Sequence, residues 1–150
     1  MKRLIALIVL AMLLVGTAAA EEMRVWVMCQ PNSYVTIRTG PKKTATESGY
    51  AYPGDEFLTD GKKRGGYLHI FAPNEDGEGW ISKGYVTDCE PTAYPDGITM
   101  KVNVKQVNCR MCIGGRRRGR LKRGVAVTVY LMSDDWAVTN YGYIQSRYLE

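Results

Sequence analysis

The chain contains a single histidine, His69, and so has little means of imidazole chemistry. Histidine is the usual proton-transfer residue near neutral pH. A Cys–His hydrolase would need a reactive cysteine beside it. Here Cys109 falls on an inward strand position, and His69 alternates with Leu68 and Ile70 as a polar residue on a strand face. The sequence also lacks a Gly-x-Ser-x-Gly elbow, a His-Glu-x-x-His zinc motif and a glycine loop ending in lysine for phosphate. Cys109 and Cys112 are the one close cysteine pair, while Cys29 and Cys89 stand alone, so a four-ligand zinc site is short of ligands. A thioredoxin-like pair would open a helix, but Ile113-Gly114-Gly115 after Cys112 reads as a turn. No helical periodicity of useful length is present. Past Val15 no apolar run approaches the ~20 residues of a membrane span. These absences lead to the expectation of a non-enzymatic chain with no metal, no cofactor and no span in its mature form.

What is present begins with an export signal. Lys2 and Arg3 precede an apolar run from Leu4 to Val15, and Ala18-Ala19-Ala20 offers a cleavage site before Glu21. Residues 1–20 therefore read as a cleavable signal peptide, and the chain as secreted or extracytoplasmic. Charge is unevenly spread beyond it. Residues 21–100 carry eight Lys/Arg against twelve Asp/Glu, whereas residues 101–150 carry ten against three. An acidic half followed by a basic half suggests two modules with different surfaces.

A degenerate repeat supports the division. Val35-Thr36-Ile37-Arg38 is answered by Val107-Asn108-Cys109-Arg110, each a short strand with alternate residues inward. Gly54 to Thr59 is answered by Gly124 to Leu131, whose Val125, Val127, Val129 and Leu131 share one face. Tyr67-Leu68-His69-Ile70 corresponds to Trp136-Ala137-Val138-Thr139. The closing run Gly79-Trp80-Ile81 with Tyr85-Val86 corresponds to Gly142-Tyr143-Ile144 with Tyr148-Leu149. Between the copies, two prolines and Gly97 make residues 91–100 read as a linker.

The succession V-T-I-R-T-G-P, a glycine-led strand, G-W-I and Y-V, repeated with variation, resembles the bacterial SH3 domain family. The resemblance covers nearly the whole mature chain. It implies an all-β protein of two small SH3-like barrels in tandem, residues 23–90 and 101–150, together filling the mature chain. Members of the family often bind peptidoglycan or its peptides, so a non-catalytic wall-docking module is expected. The alternative is an interaction module for another envelope protein or a wall hydrolase. The second copy departs from the pattern at Met111-Cys112-Ile113, where Gly-Pro is usual, and at Tyr143, where Trp is usual. Since chain ends meet in such barrels, a Cys29–Cys89 disulfide closing the first is expected. Cys109 and Cys112 are a disulfide or a pair of buried thiols.

The most distinctive polar segment is Arg116-Arg117-Arg118-Gly119-Arg120-Leu121-Lys122-Arg123, by alignment of the copies the loop between the opening strand and the Gly124 strand. Arginine pairs with carboxylate or phosphate through two parallel hydrogen bonds. For an exported chain the accessible anions are teichoic-acid-like polymers, lipid head groups and peptidoglycan carboxylates, which makes nucleic acid a poor candidate. Arg116, Arg117, Arg118 and Arg120 are thus candidate ligand residues. So are Tyr50 and Tyr52 beside Pro53-Gly54, which could stack on a sugar or a peptide.

Overall fold

A computed structural model describes residues 23–73 and 77–150, so the signal peptide assigned to residues 1–20 lies outside the described residues. The described chain is all-β, forming two sheets with two short 3-10 turns. The N-terminal module contains β1 (Met23–Val27), β2 (Val35–Arg38), β3 (Glu47–Ala51), β4 (Glu56–Thr59), β5 (Lys63–Arg64), β6 (Tyr67–Phe71), β7 (Glu78–Ser82) and β8 (Val86–Thr87). They run in the order β3-β2-β7-β6-β4-β1-β8, with β5 added to β6. Alternation sets the inward face. Val25, Val27, Val35, Leu68, Ile70 and Ile81 form its core.

The C-terminal module contains β9 (Thr92–Lys101), β10 (Gln106–Arg110), β11 (Arg117–Lys122), β12 (Ala126–Met132), β13 (Trp136–Thr139) and β14 (Gly142–Gln145), in the order β11-β10-β14-β13-β12-β9. Its core gathers Val102, Val107, Cys109, Val127, Val129 and Ile144. The pairings repeat those of the first module. β2 lies between β3 and β7 as β10 lies between β11 and β14, and β1 pairs β4 as β9 pairs β12. The correspondence reaches single residues. Arg38 opposes Trp80, and Arg110 opposes Tyr143. The register slips after Ile37 and again after Cys109. Each opening arginine then spends its Nη1 on a carbonyl of its own loop, Ala45 at 3.0 Å and Gly115 at 2.8 Å.

Residues 91–100 differ from the linker expected of them. Thr92–Lys101 is a strand, paired with β12 along both its ends. The proline is tolerated because β9 is a sheet edge, where a missing N–H costs no ladder bond. Between Ala93 opposite Leu131 and Ile98 opposite Val129 the strand bulges, and Gly97 takes the bulge at a φ of 73°.

The modules pack against one another. Met28, Leu131, Val138 and Tyr143 form a third buried cluster, joined by Tyr85, Cys112, Ile113 and Trp136. Three hydrogen bonds cross this contact. The Tyr143 hydroxyl donates to the Met28 carbonyl at 2.7 Å, Gln30 Nε2 to the Thr139 carbonyl at 2.9 Å, and the Ile113 N–H to the Gly84 carbonyl at 2.9 Å.

Candidate binding site

The repeat places one groove on each module. In the first, Val35, Thr36, Arg38, Tyr67, Ser82 and Tyr85 line it. In the second, the aligned residues Val107, Asn108, Arg110, Trp136, Gln145 and Tyr148 line it. Each groove is walled by the opening strand on one side and by the closing 3-10 turn on the other, Lys83–Tyr85 or Ser146–Tyr148. An aromatic side chain from the start of β6 or β13 stands between them. The sequence alignment of the copies contains all six pairs, but only the fold shows that they converge.

The two grooves differ in surroundings. The C-terminal groove, about 270 Å³, is lined with the amides Gln106, Asn108 and Gln145. Its outer wall is stiffened by Arg147, which lies 4.7 Å from the Tyr148 ring centroid and donates to the Tyr148 hydroxyl at 2.7 Å. The N-terminal groove is roofed by the other module. Met111, Arg118, Gly142 and Tyr143 complete a cleft of about 400 Å³, which Lys43 and Arg38 also line.

Of the arginines read as ligand groups, Arg118 is the one that lines this cleft. Arg120 stands outside it on β11, where its Nε donates to Asn108 Oδ1 at 3.3 Å. Arg117 opposes Arg110, and the Arg116 carbonyl accepts from the Met111 N–H at 3.1 Å. The basic segment is therefore largely an edge strand, not a free loop. Tyr50 and Tyr52 are exposed, as expected for ligand aromatics, and they share a partner that sequence reading passed over. Tyr34 meets Tyr50 edge-on at 4.7 Å and Tyr52 at 6.5 Å, and Tyr34 itself lines the cleft. Lys43 was likewise missed, since nothing in its local sequence distinguishes it from any loop lysine.

All four cysteines are free thiols. The expected Cys29–Cys89 and Cys109–Cys112 bridges are not formed here. Cys29 is buried at the end of the first core, where burial and the nearby Asp55 carboxylate push its thiol up to about 11. Cys109 faces the second core, and burial raises its pKa too. Cys112 faces the other way, into the contact between modules. Cys89 is half-buried, with its thiol directed to Asp88 Oδ1 at 3.5 Å. Asp88, Cys89 and Asp135 lie close enough together to share an ion. His69 lies on a strand, β6, as its sequence suggests, and is buried there. Its Nδ1 is 2.9 Å from Asp60 and its Nε2 3.1 Å from Glu78, with Trp80 stacked at 4.8 Å. The hydrogen bond from His69 holds the Asp60 carboxyl below the usual carboxylate range.

No family model and no curated protein matches the chain. Among solved structures, NlpC1 and NlpC2 of Trichomonas vaginalis overlay on it with TM-scores of 0.39 and 0.38 at 17% identity. The overlays cover 89% and 86% of this chain and 47% and 48% of theirs, so this chain spans under half the length of either.

Proposed function

We propose that this is a secreted, non-catalytic binding protein of tandem bacterial SH3 type, whose ligand is peptidoglycan or an anionic wall polymer. The observation that carries the reading is the recurrence of one aromatic-walled groove at six aligned positions in two modules. Two linked grooves add avidity on a repeating polymer without any new contact. The strand β11, with Arg117, Arg120 and Lys122 exposed along a sheet edge, supplies a positive field beside them. The non-catalytic reading is supported by the chemistry of the candidate groups. Raised thiol pKa values at Cys29, Cys89 and Cys109 disfavour the nucleophilic thiolate, and both ring nitrogens of His69 are occupied by carboxylates.

Co-sedimentation of the mature chain with purified sacculi, with and without wall teichoic acid and at low and high salt, tests the reading. Retention supports it, and loss on stripping teichoic acid assigns the polymer. No retention under any condition contradicts it and moves the ligand to an envelope protein.

A further inference from the structure

The cleft between the modules contains two cations that the fold does not use. Lys43, in the loop after β2, and Arg118, on β11, both line it. Neither has an ion-pair or hydrogen-bond partner among the described residues, whereas the third cation, Arg38, is engaged by the Ala45 carbonyl and by Glu47 at 3.7 Å. No lining residue is acidic. Arg118 is steered to this position by Gly142, which has a φ of 104°. A Cβ on Gly142 would stand 2.6 Å from the Arg110 carbonyl oxygen and 3.6 Å from the Arg118 Cδ, so the arginine stem crosses the glycine. Tyr143, whose hydroxyl donates to the Met28 carbonyl, also lines the cleft, and Tyr34 and Tyr67 add aromatic surface. The aligned groove of the second module has amides and a single arginine, Arg110, whose Nη1 is held by the Gly115 carbonyl. A demand for negative charge is therefore particular to the cleft that both modules build.

We propose that this cleft binds one anionic group, a carboxylate or a phosphate, clamped between Lys43 of the first module and Arg118 of the second and carried on a small fragment whose ring or amide packs against Tyr34 and Tyr67. The inference rests on the wall-binding reading and names the site and the charge of its ligand. A volume of about 400 Å³ is at the small end of ligand sites, sufficient for a sugar with a short peptide or polyol but not for a folded partner. Because the two cations come from different modules, the ligand also favours their docked arrangement.

Calorimetric titration of the full mature chain at low salt, with N-acetylmuramyl dipeptide, its carboxyl ester and glycerol phosphate as probes, tests the proposal. The expected result is binding of at least one of the two anions, the better of them naming the source of the charge, with the ester much weaker than the free dipeptide if the carboxylate is that source. Lys43→Gln and Arg118→Gln should each weaken the binding about tenfold, the scale of one lost charge-assisted hydrogen bond. Lys101→Gln, exposed on β9 and outside both grooves, should leave it unchanged. Absence of binding by either anion, or binding that ignores Lys43→Gln and Arg118→Gln in chains of unaltered thermal midpoint, would overturn the proposal. Retention on sacculi measured in parallel separates the two ideas. Retention without fragment binding rejects the cleft and leaves the wall reading, whereas loss of both rejects both.

Discussion

Gly84 governs how closely the two modules approach. It is buried in the 3-10 turn after β7, and a Cβ there would meet the Cys112 Sγ at 2.7 Å and its Cβ at 3.2 Å. Gly84→Ala should cost about 1–3 kcal/mol by overpacking, read from the urea midpoint. Most of that should return in a Gly84→Ala, Cys112→Ala double variant. An additive double variant would mean that the two residues do not touch. Cys29 offers a second test, in pH. Its folded pKa, about 11, lies above the ordinary thiol value of 9.0, so its contribution is intact below pH 9 and is lost as pH rises from 9 towards 11. Denaturant midpoints should therefore fall less steeply across that range in Cys29→Ala than in the native chain. Equal slopes would show that the thiol ionises as freely in the fold as outside it. At this scale the sequence exposed the aromatic and arginine candidates by their type. Tyr34 and Lys43 were hidden because their role depends on neighbours from other strands and from the other module.

At the scale of elements, β2, β10 and β12 were legible from alternation, and the closing strands β7 and β14 from the repeat. β9 was not, because Pro95 and Gly97 signal a break. The fold accommodates both by placing the strand at an edge and letting it bulge. Gly97→Ala should destabilise by about 1–3 kcal/mol, since φ is positive and the added methyl would run into the Thr128 side chain. Thermal unfolding checks this, and an unchanged midpoint would deny the bulge. β11 was read as a basic loop because Arg and Lys hide its period. Only Leu121 marks its inner face, with Gly119 opposite Cys109. The combined change Arg120→Gln and Lys122→Gln should alter stability by no more than about 0.5 kcal/mol, as for most surface substitutions. It should weaken wall retention at low salt and leave retention at high salt nearly unaltered. The departure Met111-Cys112-Ile113 in the second copy also has its reason here. Cys112 and Ile113 pack into the contact with the first module, and Ile113 donates its N–H to Gly84.

For the whole molecule, the repeat is legible in the sequence and its consequence is not. Two copies of a pattern predict two modules, but not that the second would contribute residues to the groove of the first while the first contributes none to the groove of the second. That asymmetry gives the molecule two unlike grooves, one cationic and one lined by amides. The wall-binding reading puts the ligand in these grooves. It is tested most directly by an equilibrium isotherm on purified sacculi for the native mature chain and for Thr36→Trp with Asn108→Trp, which fill the two grooves from positions outside both cores. Saturable retention of the native chain is expected, with a loss of about tenfold or more in affinity for the double variant and each single change intermediate. Equal affinity of the native and doubly filled chains, both folded, would contradict it.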